Sequence, residues 1–166
     1  MNSTQASKLW PKSWPFERHL EFDGSATPVK TALFLIVCLA WLLPGLAGHD
    51  PWKSEEAITF SLAHHILATG DWVVPIAAGE PYVATPPLYA MAAALSAKLF
   101  GALLPAHDGA RLATGLFVGL TIYWLALTAN RLFGPRFGRL SALLFMGSLG
   151  LLLRAHEMSP DVAVLA

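Results

Sequence analysis

The chain has 166 residues, of which 55% are hydrophobic and 13% are charged, and its mean hydropathy is +0.52. Soluble domains carry roughly 25% charged residues, so this composition excludes an ordinary soluble domain and indicates an integral membrane protein. Eleven basic residues balance eleven acidic ones, and the absence of a net positive charge argues against a nucleic-acid partner.

The apolar runs predict an all-α fold, a polytopic membrane helical bundle. We expect spans at about residues 31–48, 112–132 and 137–153, because about 20 apolar residues are needed to cross a bilayer. Cys38 lies in the first run and is expected to act as a small hydrophobe, since it has no second cysteine to pair with. Residues 162–166 begin another apolar run, which suggests the N-terminal part of a longer protein or an incomplete sequence.

Basic residues cluster before the first span and between the second and third spans. Because such clusters stay on the cytoplasmic side, residues 1–30 are expected to form a cytoplasmic tail. The loop at residues 49–111 and the segment at residues 154–161 then share the outer side. The residues behind this topology are Lys8, Lys12, Arg18, Lys30, Arg131, Arg136 and Arg139.

The outer loop is expected to contain amphipathic juxtamembrane helices. Ser54 is a suitable N-cap and Gly70 a suitable stop for a first helix. Its apolar stripe comprises Ile58, Leu62, Ala63, Ile66 and Leu67. A segment rich in glycine and proline follows, and the pair Pro86 and Pro87 delays the next helix until Leu88.

Glu55 and Glu56 stand side by side in the first turn of that helix. One interpretation is that they only complement the helix dipole. The other is that they form a functional site, because carboxylates at a bilayer edge are costly unless they are solvated, paired or metal-bound. The residues alone favour the two interpretations equally.

Several other polar residues are candidates for a functional site, and each also has a structural explanation. Arg154 can bind a phosphate or act as a topological stop charge, and Tyr82 can stack on a substrate or anchor at the interface. His156 precedes Asp161 in the second outer loop, so a divalent-cation site at Glu55 and His156 is a candidate, with a solvated loop as its alternative.

Four motifs in the outer segments resemble a known family. In chain order they are DPWKSEEA, then TGDWVVP with GEPY, then PPLY with AKLFG, and finally RAHEMSPDVAVLA. This combination resembles the first periplasmic region of bacterial GT-C membrane glycosyltransferases, the relatives of the lipid A aminoarabinose transferase and the protein O-mannosyltransferases. The resemblance runs from about residue 49 to the end of the chain.

The resemblance implies a multispan enzyme of the bacterial inner membrane, and the distribution of basic residues places its N-terminus on the cytoplasmic side. The resemblance also implies transfer of a sugar from a polyprenyl-phosphate donor to a lipid or protein acceptor at the outer face. Carried over by position, Glu55, Glu56 and Asp161 match the acidic catalytic positions. Lys53, Arg154 and Tyr82 are the candidate substrate-binding residues, and a divalent metal cation is the candidate cofactor. Membrane lipids are the other expected partners.

Two departures from the family pattern bear on activity. Members commonly carry Glu-Lys before the proline pair, whereas this chain has Ala84 and Thr85. The leading acidic residue is Glu55 in place of an aspartate, and a shift of about 1 Å in a catalytic group can cost about a hundredfold in rate. The alternative function is therefore a noncatalytic membrane scaffold or lipid-binding paralogue of the same fold.

Overall fold

The computed structural model describes residues 28–48, 50–134 and 137–166. Most of the predicted cytoplasmic tail at residues 1–30 lies outside the described residues, as does Arg136. The described chain is mostly helical, as predicted. Its helices are α1 Pro28–Leu42, α2 Ser54–Thr69, α3 Leu88–Phe100, α4 Ala106–Phe133, α5 Phe137–Met146, α6 Leu149–Arg154 and α7 Asp161–Leu165.

Two helical segments of the described residues are long and apolar enough to cross a membrane, Pro28–Gly45 and Ala106–Phe133. A 3₁₀ turn at Leu43–Gly45 closes the first segment, and it contains Pro44, which cannot donate a helical hydrogen bond. The two segments correspond to the first two predicted spans.

Helix α4 is longer than predicted and is the central element of the fold. It begins at Ala106 and has 28 residues, which at 1.5 Å per residue gives about 42 Å. That exceeds the roughly 30 Å of a hydrocarbon core. The first two turns, with Asp108 and Arg111, were expected in the outer loop and are instead the start of this helix.

The predicted third span is divided. Helix α5 has 10 residues and α6 has 6, and they are separated by Gly147 and Ser148. A Gly/Ser pair is a common site for a break because both residues favour the helical state less than alanine does. Neither piece reaches the length that a membrane crossing needs.

Small residues allow α3 and α4 to pack closely. The buried face of α3 is rich in alanine, with Ala93 and Ala94 fully buried. A methyl group added to Gly109 of α4 would lie 3.0 Å from the Cα of Ala97, and Ser96 Oγ donates a hydrogen bond to the Gly109 carbonyl at 2.7 Å. Such small-residue interfaces are characteristic of membrane helix pairs.

A short hairpin joins α2 to α3 and was not predicted. Strands β1 Ile76–Ala77 and β2 Glu80–Pro81 pair antiparallel. Ala78 and Gly79 connect them with φ of 54° and 89°, the positive values that a type I′ turn requires at both central residues. The turn brings Tyr82 back towards α2, since its N–H bonds the Pro75 carbonyl at 2.9 Å.

Candidate active site

A pocket of about 120 Å³ lies where the start of α2 meets the start of α7. It brings together three of the residues predicted from sequence, Glu55, Tyr82 and Asp161. We call it the acidic pocket, because two of these residues are carboxylates. The residues lining it are Glu55, Ile58, Thr59, Tyr82, Thr85, Ser159, Pro160 and Asp161.

The start of α2 sets the direction of Glu55. The helix begins at Ser54, so Ser54 is the first helical residue and Lys53, not Ser54, is the N-cap. Both glutamates lie in the first turn as predicted, and their neighbouring positions point about 100° apart. Gly70 ends the helix in the left-handed conformation, with φ of 73°, as expected.

Glu55 is solvent-exposed and paired with a cation. Its side chain is 70% exposed, and its Oε2 accepts a hydrogen bond from Arg154 Nη1 at 2.8 Å. The pKa of Arg154 is raised, first because of this hydrogen bond and then because of the nearby charges of Glu55, Asp161 and Glu157. The Arg154 guanidinium therefore sits in an acidic surrounding next to the pocket and stays charged.

Glu56 has a different environment, because it is only 1% exposed. Its Oε1 accepts hydrogen bonds from Arg111 Nε at 2.8 Å and from the Met158 backbone N–H at 3.3 Å. The buried face of α2 therefore contains Glu56 and Thr59, whereas Ile58, which was expected in the apolar stripe, is 39% exposed. Glu56 is turned into the protein and does not line the acidic pocket.

Arg111 is the main site residue that sequence reasoning missed. It is not among the predicted site residues, yet it is fully buried between Glu56 and Asp108. Its Nη1 donates to Asp108 Oδ1 at 3.0 Å, and the Asp108 carboxylate accepts the Gly48 N–H at 3.3 and 3.2 Å. The spacing of Asp108 and Arg111, three residues apart at a helix start, was the available signal.

A second set of contacts holds Glu157, which precedes the pocket residues of the second loop. Lys53, predicted to bind substrate, forms an ion pair with the Glu157 carboxylate. Thr114 Oγ1 donates to the Glu157 carbonyl at 3.0 Å and lies 2.6 Å from the Tyr89 hydroxyl. Burial raises the pKa of Tyr89 and keeps that hydroxyl protonated.

His156 does not line the acidic pocket. Its Nδ1 and Nε2 lie 3.2 and 3.1 Å from the carbonyl oxygens of Leu152 and Trp41, and its ring packs against that of Trp41. A neutral imidazole carries one N–H, so the ring donates one hydrogen bond to one of these two oxygens. The role of His156 as a metal ligand stays a prediction. Among the described residues, no group of three or more His, Cys, Asp and Glu side chains is arranged to hold a metal ion.

Comparison with known proteins finds several similar proteins, all of which are named aminoarabinose transferases. Over 140 residues the chain is 32% identical to undecaprenyl phosphate-alpha-4-amino-4-deoxy-L-arabinose arabinosyl transferase 1 of Pseudomonas fluorescens strain Pf0-1, covering 81% of the chain and 24% of the relative. The transferase 1 of strain Pf-5 is 34% identical over 130 residues, 78% of the chain and 23% of the relative. The transferase 2 of Sodalis glossinidius is 33% identical over 96 residues, 57% of the chain and 17% of the relative.

The chain spans about a quarter of the length of the first of these curated relatives. No protein-family model matches it, and no solved structure matches it. The chain is therefore similar to a part of these aminoarabinose transferases. This agrees with the aminoarabinose-transferase side of the resemblance seen in the motifs.

Proposed function

We propose that the chain forms the acidic-loop part of a multi-pass glycosyltransferase of the bacterial inner membrane. In this proposal the N-terminus is cytoplasmic and the acidic pocket faces the outer side. The enzyme would take a sugar from a polyprenyl-phosphate donor and pass it to a lipid or protein acceptor. The observation that carries the proposal is the meeting of Glu55 and Asp161, from two distant segments, in one pocket.

Glu55 is the proposed general base. It takes the proton from the acceptor hydroxyl while that oxygen attacks the anomeric carbon of the sugar, and the bond from that carbon to the lipid phosphate breaks with its electron pair on the phosphate. Asp161 lies in the same pocket and would orient the acceptor or stabilise positive charge on the sugar. Tyr82 would contact the sugar with its ring face.

Two cations beside the pocket fit the departing phosphate. Arg154 is bound to Glu55 and remains 46% exposed, so it is accessible to a ligand. Lys53, which immediately precedes α2, forms an ion pair with Glu157 of the second loop. Positively charged groups placed where negative charge develops are a major source of rate enhancement, and a guanidinium can bind phosphate through two hydrogen bonds.

The size of the pocket indicates how much of the substrate it would hold. Its volume is about 120 Å³, below the roughly 300 Å³ of ordinary small-molecule sites. The pocket would therefore hold the reacting groups, with the rest of the donor bound elsewhere. Should a divalent cation take part, Glu55 and Asp161 are the carboxylates placed to bind it, and no step above depends on one.

One observation favours the noncatalytic alternative. Thr85 lines the acidic pocket, at the position where the resembled family commonly carries a lysine. A neutral hydroxyl there leaves two carboxylates without that cation and would weaken the binding of a phosphate. A scaffold or lipid-binding paralogue of the same fold would keep the pocket and lack transfer.

The deciding experiment compares carboxylate variants of the intact protein in membranes. Glu55→Gln should lower transfer from an undecaprenyl-phosphate-linked aminopentose by about a hundredfold or more, because the general base is lost. The control is Glu80→Gln, since Glu80 is exposed on β2 and lies outside the acidic pocket. Equal transfer by Glu55→Gln and the unmodified protein would refute the assignment, whereas no transfer by either would favour the alternative.

A further inference from the structure

The adjacent residues Glu55 and Glu56 have separate tasks in the structure. Glu55 lines the acidic pocket, whereas Glu56 lies outside it and is shielded from water. Dipole complementation explains an acidic residue in the first turn, but it does not explain why one of two is buried against an arginine. The burial of Glu56 therefore needs an explanation other than dipole complementation.

Those contacts join parts of the chain that are far apart in sequence. Arg111 belongs to α4 and lies 55 residues from Glu56, and Met158 lies 102 residues from it. Both donate to the same atom, Glu56 Oε1, while Glu56 Oε2 is buried with no hydrogen-bond partner among the described residues. One carboxylate oxygen thus fixes the start of α2 to the start of α4 and to the second loop.

The bond to Met158 bears directly on the acidic pocket. Met158 immediately precedes Ser159, Pro160 and Asp161, which form one wall, and Glu56 immediately follows Glu55, which belongs to the other wall. The hydrogen bond between Glu56 and Met158 consequently links the two chain segments that carry these walls.

Arg111 keeps the carboxylate in position for that bond. Its Nε bonds Glu56 and its Nη1 bonds Asp108, so the planar guanidinium is fixed by two carboxylates at once. Buried ion pairs often stabilise a fold no better than apolar side chains of the same volume. The burial of Arg111 with Glu56 is therefore better explained by the position in which the pair holds the Glu56 carboxylate than by a gain in stability.

We infer that Glu56 and Arg111 are a buried pair of positioning residues that sets the separation of Glu55 and Asp161. The inference rests on the proposed function for the meaning of the pocket. Neither residue touches substrate in this arrangement. Both act through the second loop, and loss of either should loosen residues 158–161 while α2 and α4 stay helical.

The first experiment measures the opening of the second loop without any enzyme assay. Ser159 is 3% exposed, so a cysteine of nearly the same size there should react slowly with a maleimide. In the intact protein carrying Cys38→Ala and Ser159→Cys, Arg111→Lys should raise the reaction rate about tenfold or more, because one ammonium cannot replace two fixed N–H donors. Glu56→Gln should raise the rate less, because its carbonyl oxygen can still accept.

Two control variants separate this effect from a general loss of structure. Arg131→Lys makes the same change at the exposed end of α4, and Glu80→Gln makes the other change at an exposed position of β2 outside the acidic pocket. Both should leave the reaction rate within about twofold. Unchanged labelling in Arg111→Lys and Glu56→Gln would overturn the inference, as would an equal rise in the controls. If Arg111→Lys fails to insert, Glu56→Gln decides alone.

The second experiment distinguishes positioning from a purely structural role. Per folded molecule of the intact enzyme, Arg111→Lys should lower kcat about tenfold or more with KM for the lipid-linked donor nearly unchanged, since the reacting groups are misplaced while donor contacts persist. Full kcat per folded molecule would contradict the inference. Absence of transfer in the unmodified protein would refute the proposed function instead, and the labelling result would still decide the positioning role.

Discussion

Gly45 and the His156 ring lie so close together that a methyl group on Gly45 would overlap the Cδ2, Cγ and Cβ atoms of the histidine. This contact joins the end of α1 to the beginning of the second loop. It explains why a glycine stands at the last residue of the 3₁₀ turn, at a position with no positive φ.

Gly45→Ala should therefore destabilise the protein by about 1–3 kcal/mol, the usual cost of overpacking, because His156 is held by two carbonyl oxygens. Gly119→Ala is the matched control, since nothing lies within 4 Å of a methyl group at that helical position. It should be neutral or stabilising by about 0.5–1 kcal/mol. Thermal unfolding in detergent measures both, and equal stability of the two variants would contradict the contact.

Arg154→Gln should affect ligand binding far more than stability. The pair with Glu55 is exposed, and exposed ion pairs contribute about 0–1 kcal/mol. We expect a nearly unchanged unfolding temperature and weaker binding of a polyprenyl-phosphate donor, measured by tryptophan fluorescence or a lipid competition assay. A large fall in stability would show that Arg154 serves the fold.

Thr114→Val should destabilise the protein more than Tyr89→Phe does. Thr114 Oγ1 serves both the Tyr89 hydroxyl and the Glu157 carbonyl. Its removal leaves two buried polar groups unsatisfied, at about 1–3 kcal/mol each, whereas Tyr89→Phe removes one hydrogen bond worth about 1 kcal/mol. Chemical unfolding of both variants and the double variant measures the difference. The reverse order would exclude this network.

The burial of Tyr89 also predicts that the protein loses stability at alkaline pH. Its pKa in the folded protein is raised by burial above the ordinary value of 10.0, so the unfolded chain loses this proton first as pH rises. The contribution of the protonated Tyr89 hydroxyl to the free energy of unfolding is complete below about pH 10 and declines above that pH. Tyr89→Phe should remove that part of the decline. Unfolding measured from pH 8 to 11 tests this, with identical pH profiles as the contrary result.

The orientation of α4 can be tested with single cysteines in a Cys38→Ala background. Val73 is 80% exposed after α2, and Phe137 begins α5 beyond the far end of α4. If α4 crosses the membrane, Val73→Cys and Phe137→Cys should react with an impermeant maleimide from opposite sides. Labelling from the same side would overturn the predicted topology.

The sequence predicts those features that depend on neighbouring residues. Gly70 ends α2, the proline pair delays α3 to Leu88, and two of the apolar runs become long helices. The apolar stripe also predicts much of the buried face of α2, because Leu62, Ala63 and Ile66 are buried. Local pattern does not show that Glu56 belongs to that face, because its partner Arg111 lies 55 residues away in the chain.

Some residues of the acidic pocket can be predicted from the sequence and others cannot. Glu55, Tyr82 and Asp161 were chosen because of motifs, and they meet in space. His156 was chosen because it lies close to Asp161 in sequence, but its ring is held by Trp41 of α1. The type I′ turn at Ala78 was missed because alanine rarely adopts a positive φ, so the sequence carries no ordinary signal for it.

The bond from Met158 to Glu56 also has a consequence for the order of assembly. Both long helices precede Met158 in the chain, so they are synthesised and can enter the membrane before the second wall of the pocket exists. Until Met158 is synthesised, Glu56 Oε1 can accept the hydrogen bond from Arg111 but not the one from Met158. The two long helices can therefore form before the wall of the acidic pocket that holds Ser159, Pro160 and Asp161 has been synthesised.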